Sequence, residues 1–316
     1  MDEEAKAKRL AKRHQNVMEG MADLEVWMKD LLRYFYLYAT EDIRNLPIHR
    51  SANLVDWEFV GTAFTDSTRP TFQQLIWAPD IRKIGDKYVL YYANSSWGEE
   101  HTNGIGVAWS LRPEGPFTDA GKLFLSDEIE VMNSIDAFYM EENGRKYLFW
   151  GSWHGLWGVE LTDDGLALQP NTPKIPIAGN GYEAGLLHKH GDYYYLFAST
   201  GSCCEGLKST YTTVVGRSKN LFGPYVNRKG ELMLSNHHEV VIEKNKDFVG
   251  PGHNSQLVTD DAGNDWIFYH GVNVKNPEGR VLMMSKIVWE DGWPTVENSS
   301  PAVTATAPYF KSQYKN

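Results

Sequence analysis

Short, strongly hydrophobic runs alternate along this chain with polar, turn-rich segments, and five of the runs share one character. They are Arg33-Tyr34-Phe35-Tyr36-Leu37-Tyr38, Lys87-Tyr88-Val89-Leu90-Tyr91-Tyr92, Lys146-Tyr147-Leu148-Phe149-Trp150, Asp192-Tyr193-Tyr194-Tyr195-Leu196-Phe197 and Asp265-Trp266-Ile267-Phe268-Tyr269. Aromatic β-runs recurring at this interval predict radially arranged sheets, here a five-bladed β-propeller. Segments such as Arg112-Pro113-Glu114-Gly115-Pro116-Phe117 and Asp291-Gly292-Trp293-Pro294 supply the turns, because Gly admits positive φ and Pro fixes φ without donating to a ladder. Helical periodicity is weak after residue 20, so the reading is all-β, one domain over residues 19–310. Residues 1–18 read as a short helical extension, their acids preceding their bases as a helix dipole favours.

The polar positions ahead of each run carry the candidate chemistry. Asp23, Trp77, Asp136, Glu183 and His253 precede the Leu or Ile of the following run by 14, 13, 12, 13 and 14 residues. Near-constant spacing places them at equivalent points, the start of the innermost strand of each blade. Those starts surround the propeller axis, so carboxylates, an indole and an imidazole should meet in one pocket.

Composition narrows the class of partner. With 31 Lys+Arg against 41 Asp+Glu, the formal charge of −10 repels a phosphate backbone, which speaks against nucleic acid. Eleven Trp and 17 Tyr suit a protein that stacks rings on sugars, although sheet core accounts for most of them. No apolar run is long enough to span a bilayer, and the first 18 residues show no signal-peptide core. The two cysteines, Cys203 and Cys204, are adjacent, which excludes a disulfide framework and spaced zinc patterns. Neighbouring Cα atoms lie closer than ordinary disulfides span, so two reduced, buried thiols are expected.

Taken together, Trp77-Ala78-Pro79-Asp80-Ile81, Gly201-Ser202-Cys203-Cys204-Glu205-Gly206, Val215-Gly216-Arg217-Ser218, Gly250-Pro251-Gly252-His253-Asn254, Tyr269-His270 and Asp291-Gly292-Trp293-Pro294 resemble glycoside hydrolase family 43, and its arabinan-active members in particular. The resemblance runs from about residue 16 to 300. It implies an inverting hydrolase of α-L-arabinofuranosyl linkages, with Asp23 as general base, Asp136 as the acid that orients and modulates its neighbour, and Glu183 as general acid. A nearby carboxylate and partial burial would keep Glu183 protonated. Asp23 departs from the family pattern, since Leu24 stands where Pro is usual and Asp30-Leu31-Leu32-Arg33 replaces a Gly turn.

The resemblance further implies that His253 holds a hydrated cation, commonly calcium, on the axis; a satisfied core histidine is the competing role. Trp77 is a stacking face for sugar or a core residue. Cys203 and Cys204 line the pocket rim through backbone groups, and Arg280 reaches the pocket or stays a solvated strand residue. Extracellular or periplasmic location follows by resemblance, as does an oligo- or polysaccharide substrate without membrane partner. The rival readings are a β-xylosidase or xylan-directed hydrolase of the same fold, a non-catalytic carbohydrate-binding propeller, and a protein-interaction scaffold.

Overall fold

The computed structural model describes residues 24–27 by their backbone, and residues 34–41, 43–70 and 75–311 in full. Five antiparallel sheets follow one another along the chain, each made from one contiguous segment. The first holds β1 (Leu24–Trp27), β2 (Phe35–Ala39), β3 (Pro47–Ser51) and β4 (Glu58–Thr62). Next come β5 (Leu75–Ile84), β6 (Lys87–Ser95), β7 (Gly104–Ser110) and β8 (Thr118–Leu125), followed by a single helical turn, α1 (Ser126–Ile129). The third blade is β9 (Phe138–Glu142), β10 (Arg145–Trp150), β11 (Leu156–Leu161) and β12 (Ile175–Ala178). The fourth is β13 (Glu183–His190), β14 (Tyr193–Thr200), β15 (Thr212–Ser218) and β16 (Glu239–Ile242). The fifth comprises β17 (Phe248–Gly252), the two-residue β18 (Val258–Thr259), β19 (Asp265–Asn273), β20 (Asn276–Glu290) and β21 (Trp293–Val296). This bears out the all-β, five-bladed expectation. The extension expected over residues 1–18 lies outside the described residues, as does Asp23.

Every aromatic run is the second strand of its blade. That strand is covered on both faces, one by each adjacent blade, which is why it reads as an unbroken hydrophobic stretch rather than as an alternation. Leu37, Leu90, Leu148, Leu196 and Ile267, one per run, have no exposed surface. Burying an aliphatic side chain of this size contributes about 1.5–3 kcal/mol, so these repeated positions weigh heavily in the stability of the ring. The joint between the last blade and the first is built from Phe35, Leu37, Trp57, Trp266, Phe268 and Leu282, with Phe310 from the C-terminal segment. Among the described residues no strand of one blade completes the other's sheet.

Buried polar groups give the fold a pH dependence. His49 of β3 is 2% exposed, packs edge-on against Phe59, and has neither ring nitrogen hydrogen-bonded among the described residues. Burial pulls its pKa from 6.5 down to about 4. The folded state binds the proton less readily than the unfolded chain does, so this contribution is fully present above about pH 6.5 and is lost as pH falls toward 4. A difference of this size corresponds to about 3 kcal/mol. His49→Phe should therefore flatten the decline in unfolding free energy between pH 6.5 and 4, measured by urea titration; an unchanged decline would discard the assignment.

Candidate active site

One backbone irregularity recurs around the axis. In the second, third, fourth and fifth blades the first strand carries two residues opposite one residue of the second strand: Ala78-Pro79, Asp136-Ala137, Ala184-Gly185 and His253-Asn254. The first residue of each pair has positive φ, 38° at Ala78, 61° at Asp136, 53° at Ala184 and 48° at His253. These are β-bulges of the type whose first residue is left-handed, a conformation that costs a non-glycine residue about 1–2 kcal/mol. Such strain persists only where surrounding structure over-determines it. Here the bulge amide is held by the preceding blade: Ala78 N–H donates to Thr40 Oγ1 (2.9 Å), Ala184 N–H to Asp136 Oδ2 (3.2 Å) and His253 N–H to Ser199 Oγ (2.8 Å).

The bulges refine the expected equivalence of the five positions. Trp77 and Glu183 stand one residue before the left-handed residue, whereas Asp136 and His253 are the left-handed residues themselves. Trp77 is also the third residue of β5 rather than its start, and His253 follows β17, which with β18 forms one interrupted inner strand. The displacement arises because each bulge lets the strand continue on both sides with shifted register.

Above the bulges opens a cleft of about 230 Å³ lined by Trp77, Asp136, Glu183, Cys203, Cys204, His253 and Arg280, so every described residue expected at the site reaches it. Asp136 and Glu183 are 6% and 7% exposed, buried yet lining the cleft. Glu183 opens β13, and its Oε2 accepts the Ser152 hydroxyl (2.8 Å) from the neighbouring blade, which fixes the carboxyl's rotation. Asp136 accepts the amide of Ala184, so its carboxylate is anchored one residue from Glu183. The motif around Trp77 locks the same region from the other side. Asp80, buried, pairs with Arg82 (3.0 Å) and accepts the Tyr139 amide of β9 (2.8 Å), fixing the third blade's inner strand against the second.

Two glycines of Gly250-Pro251-Gly252 bring His253 to the axis. Gly250 has φ +66°, and a Cβ on Gly252 would lie 2.2 Å from the Tyr211 ring. Tyr211 in turn stacks on His270 (5.6 Å between centroids), whose Nε2 lies 3.2 Å from Arg280 Nη1. Since guanidinium only donates, that nitrogen of His270 accepts. Arg280 is thus held at the cleft by a buried ring rather than left in solvent.

Below the cleft lies a chamber of about 20 Å³, walled by the four bulges including His253 and Asn254. It has room for a water or an ion. Asn254 Oδ1 is buried and lacks a hydrogen-bond partner among the described residues, a hard oxygen suited to a calcium ion or its water shell. An ion in that space would meet Asn254 Oδ1 and would have to carry its water shell, through which His253 is reached, toward the cleft above.

The cysteine expectation is corrected: Cys203 and Cys204 are joined in a disulfide, with Cys203 half-buried and Cys204 exposed. They lie in the loop between β14 and β15, outside the apolar core on which the expectation of inert thiols rested. Several site residues carried no sequence signal. Trp97, 73% exposed, packs against Trp77 (4.9 Å between centroids) and extends its aromatic surface to the rim. Its isolation in the polar stretch Ser95-Ser96-Trp97-Gly98 was the one available cue. Ser152, Trp153 and Thr40 reach the cleft from strand ends with no motif to mark them.

Comparison with known proteins accords with this arrangement. The family model described as glycosyl hydrolases family 43 matches residues 17–294. An extracellular exo-α-(1→5)-L-arabinofuranosidase of Cellvibrio japonicus is 33% identical over 294 residues, 83% of each chain. An extracellular endo-α-(1→5)-L-arabinanase of Bacillus subtilis is 30% identical over 266 residues, 80% of each. In structure, the Cellvibrio cellulosa α-L-arabinanase complexed with arabinohexaose superposes with a TM-score of 0.80 at 29% identity, covering 89% of this chain and 96% of that one.

Proposed function

Because the chain belongs to glycosyl hydrolase family 43 and is a glycosidase, we propose that it hydrolyses α-L-arabinofuranosyl linkages of arabinan with inversion at the anomeric carbon. The observation that carries this reading is the pair of buried acids, Asp136 and Glu183, fixed by hydrogen bonds in one aromatic-walled cleft. Glu183 gives its proton to the leaving glycosidic oxygen as the carbon–oxygen bond breaks. A water on the opposite face of the sugar attacks the anomeric carbon and passes its proton to Asp23; inversion requires the two carboxyls to stand roughly 6.5–9.5 Å apart. Asp136 orients Glu183 by anchoring the strand start that bears it. Trp77, with Trp97, offers the sugar a stacking surface, and Arg280 and the Cys203–Cys204 rim bound the cleft.

We also propose that His253 and Asn254 hold a hydrated calcium ion in the axial chamber, where its charge would offset the crowding of carboxylates. Exhaustive chelation and His253→Ala should then each lower the rate; unchanged rates with no metal in elemental analysis would remove the ion. Secretion is supported by the extracellular relatives and by the disulfide, which suits an oxidising compartment. Among the described residues no helix is long and apolar enough to cross a membrane.

The experiment that tests the reading follows arabinan hydrolysis by proton NMR in the wild type and in Asp23→Asn. The anomer opposite to the substrate should form first, and the variant should lose most turnover. First-formed product with retained configuration would exclude the inverting mechanism. Oligosaccharide binding without turnover in the wild type would instead favour a carbohydrate-binding role.

A further inference from the structure

Roughly 20 Å down β13 from Glu183, at the other end of that strand, His188, His190 and Asp265 come together. The two histidines alternate along β13 and so share a face; Asp265 begins β19 of the next blade. One ligand atom from each residue lies within 4.8 Å of the others. His190 Nδ1 is 3.9 Å from Asp265 Oδ2.

The carboxylate is already oriented. Trp289 Nε1–H donates to Asp265 Oδ2 (2.8 Å) and the Thr259 hydroxyl to Oδ1 (2.6 Å), the outer hydrogen bonding that metal-ligating carboxylates characteristically have. Asp265 is buried, His188 half-buried and His190 exposed, so the cluster is sheltered on one side and open to solvent on the other. His190 lies flat on Trp289, with centroids 3.7 Å apart and planes 12° apart, which restricts the imidazole to motion over one face.

We propose that His188, His190 and Asp265 form a binding site for a zinc-class divalent cation that clips the fourth blade to the fifth. Two imidazoles and a carboxylate are the borderline donor set that zinc takes, at about 2.0–2.2 Å each, with water completing the tetrahedron on the exposed side. Zinc at those lengths would draw the three ligand atoms, now within 4.8 Å of one another, closer together by rotation of His188 and by sliding of the exposed His190 over Trp289. Calcium, which seeks six to eight oxygens, is a poor match for two ring nitrogens. The site is remote from the cleft and does not depend on the glycosidase assignment.

Zinc chloride titrated by calorimetry into chelator-treated protein tests it. One zinc per chain should bind with a Kd of about 1 μM or tighter, raising the melting temperature by about 2–5 °C at saturation. Cobalt(II) in its place should give the visible absorption of a tetrahedral nitrogen–oxygen site. His190→Ala, a change at an exposed position, should weaken binding by about 100-fold, while His253→Ala should leave it intact. No zinc uptake at about 1 mM, the same affinity in His190→Ala, or displacement of the zinc by calcium would each overturn the proposal.

Discussion

Glu183→Gln should reduce turnover of unactivated arabinan by about 10²–10⁴-fold, the usual worth of positioned general acid assistance. The substitution keeps the volume and can still accept the Ser152 hydroxyl, so the fold and the cleft should survive. What it removes is the proton for the leaving oxygen. A substrate whose leaving group needs no proton, such as a nitrophenyl arabinofuranoside, should therefore recover most of the lost rate in this variant. Near-normal kcat on arabinan would reject Glu183 as the acid, and equal losses on both substrates would show that the residue acts in some other way.

Asp136→Asn should cost a comparable factor, about 10²-fold or more, by a different route. An amide oxygen can still accept the Ala184 N–H, so Glu183 should stay in place while the negative charge beside it disappears. The loss should fall mainly on kcat, since the interaction is with the acid rather than with the bound sugar. Because that interaction serves the acid, an activated leaving group should rescue it much as it rescues Glu183→Gln. A rise in KM at constant kcat would make Asp136 a substrate-binding residue instead.

The architecture was legible because the second strand of every blade is buried on both faces and so must be hydrophobic throughout. Turn chemistry at Gly-Pro and Asp-Gly then set the punctuation. Asp136 and Glu183 were legible for a related reason, as polar residues at a fixed distance from a fully buried aliphatic. The bulges were not legible. Ala78, Asp136, Ala184 and His253 adopt left-handed φ without being glycine, so nothing in their identity marks the conformation.

The scatter in the 12- to 14-residue spacings nonetheless held the information. Trp77 and Glu183 are one residue farther from their strand than Asp136 because they precede the bulge, and His253 is farther still because the β18–β19 hairpin is longer. Ser152 and Thr40 were invisible because their roles depend on which blade end faces which, a property of ring closure rather than of local sequence. The cysteines misled because adjacency in sequence was weighed without knowing that their loop is exposed.

The seam between the fifth and first blades has a consequence for the kinetics of opening. Elsewhere within a blade, separating strands means breaking a ladder of backbone hydrogen bonds, but at the seam the described residues contribute side chains alone. Phe310, 3% exposed and tilted against Phe35 at 4.8 Å, comes from the last described segment of the chain and covers that joint like a latch. Its release breaks the few hydrogen bonds that Tyr309 and Lys311 make to Asp260 and Asp261 and exposes apolar surface, but disrupts no sheet, so excursions at the seam cost less than excursions within a blade. Local opening of the ring is then set first by how often this latch lifts, and only secondarily by the stability of its sheets.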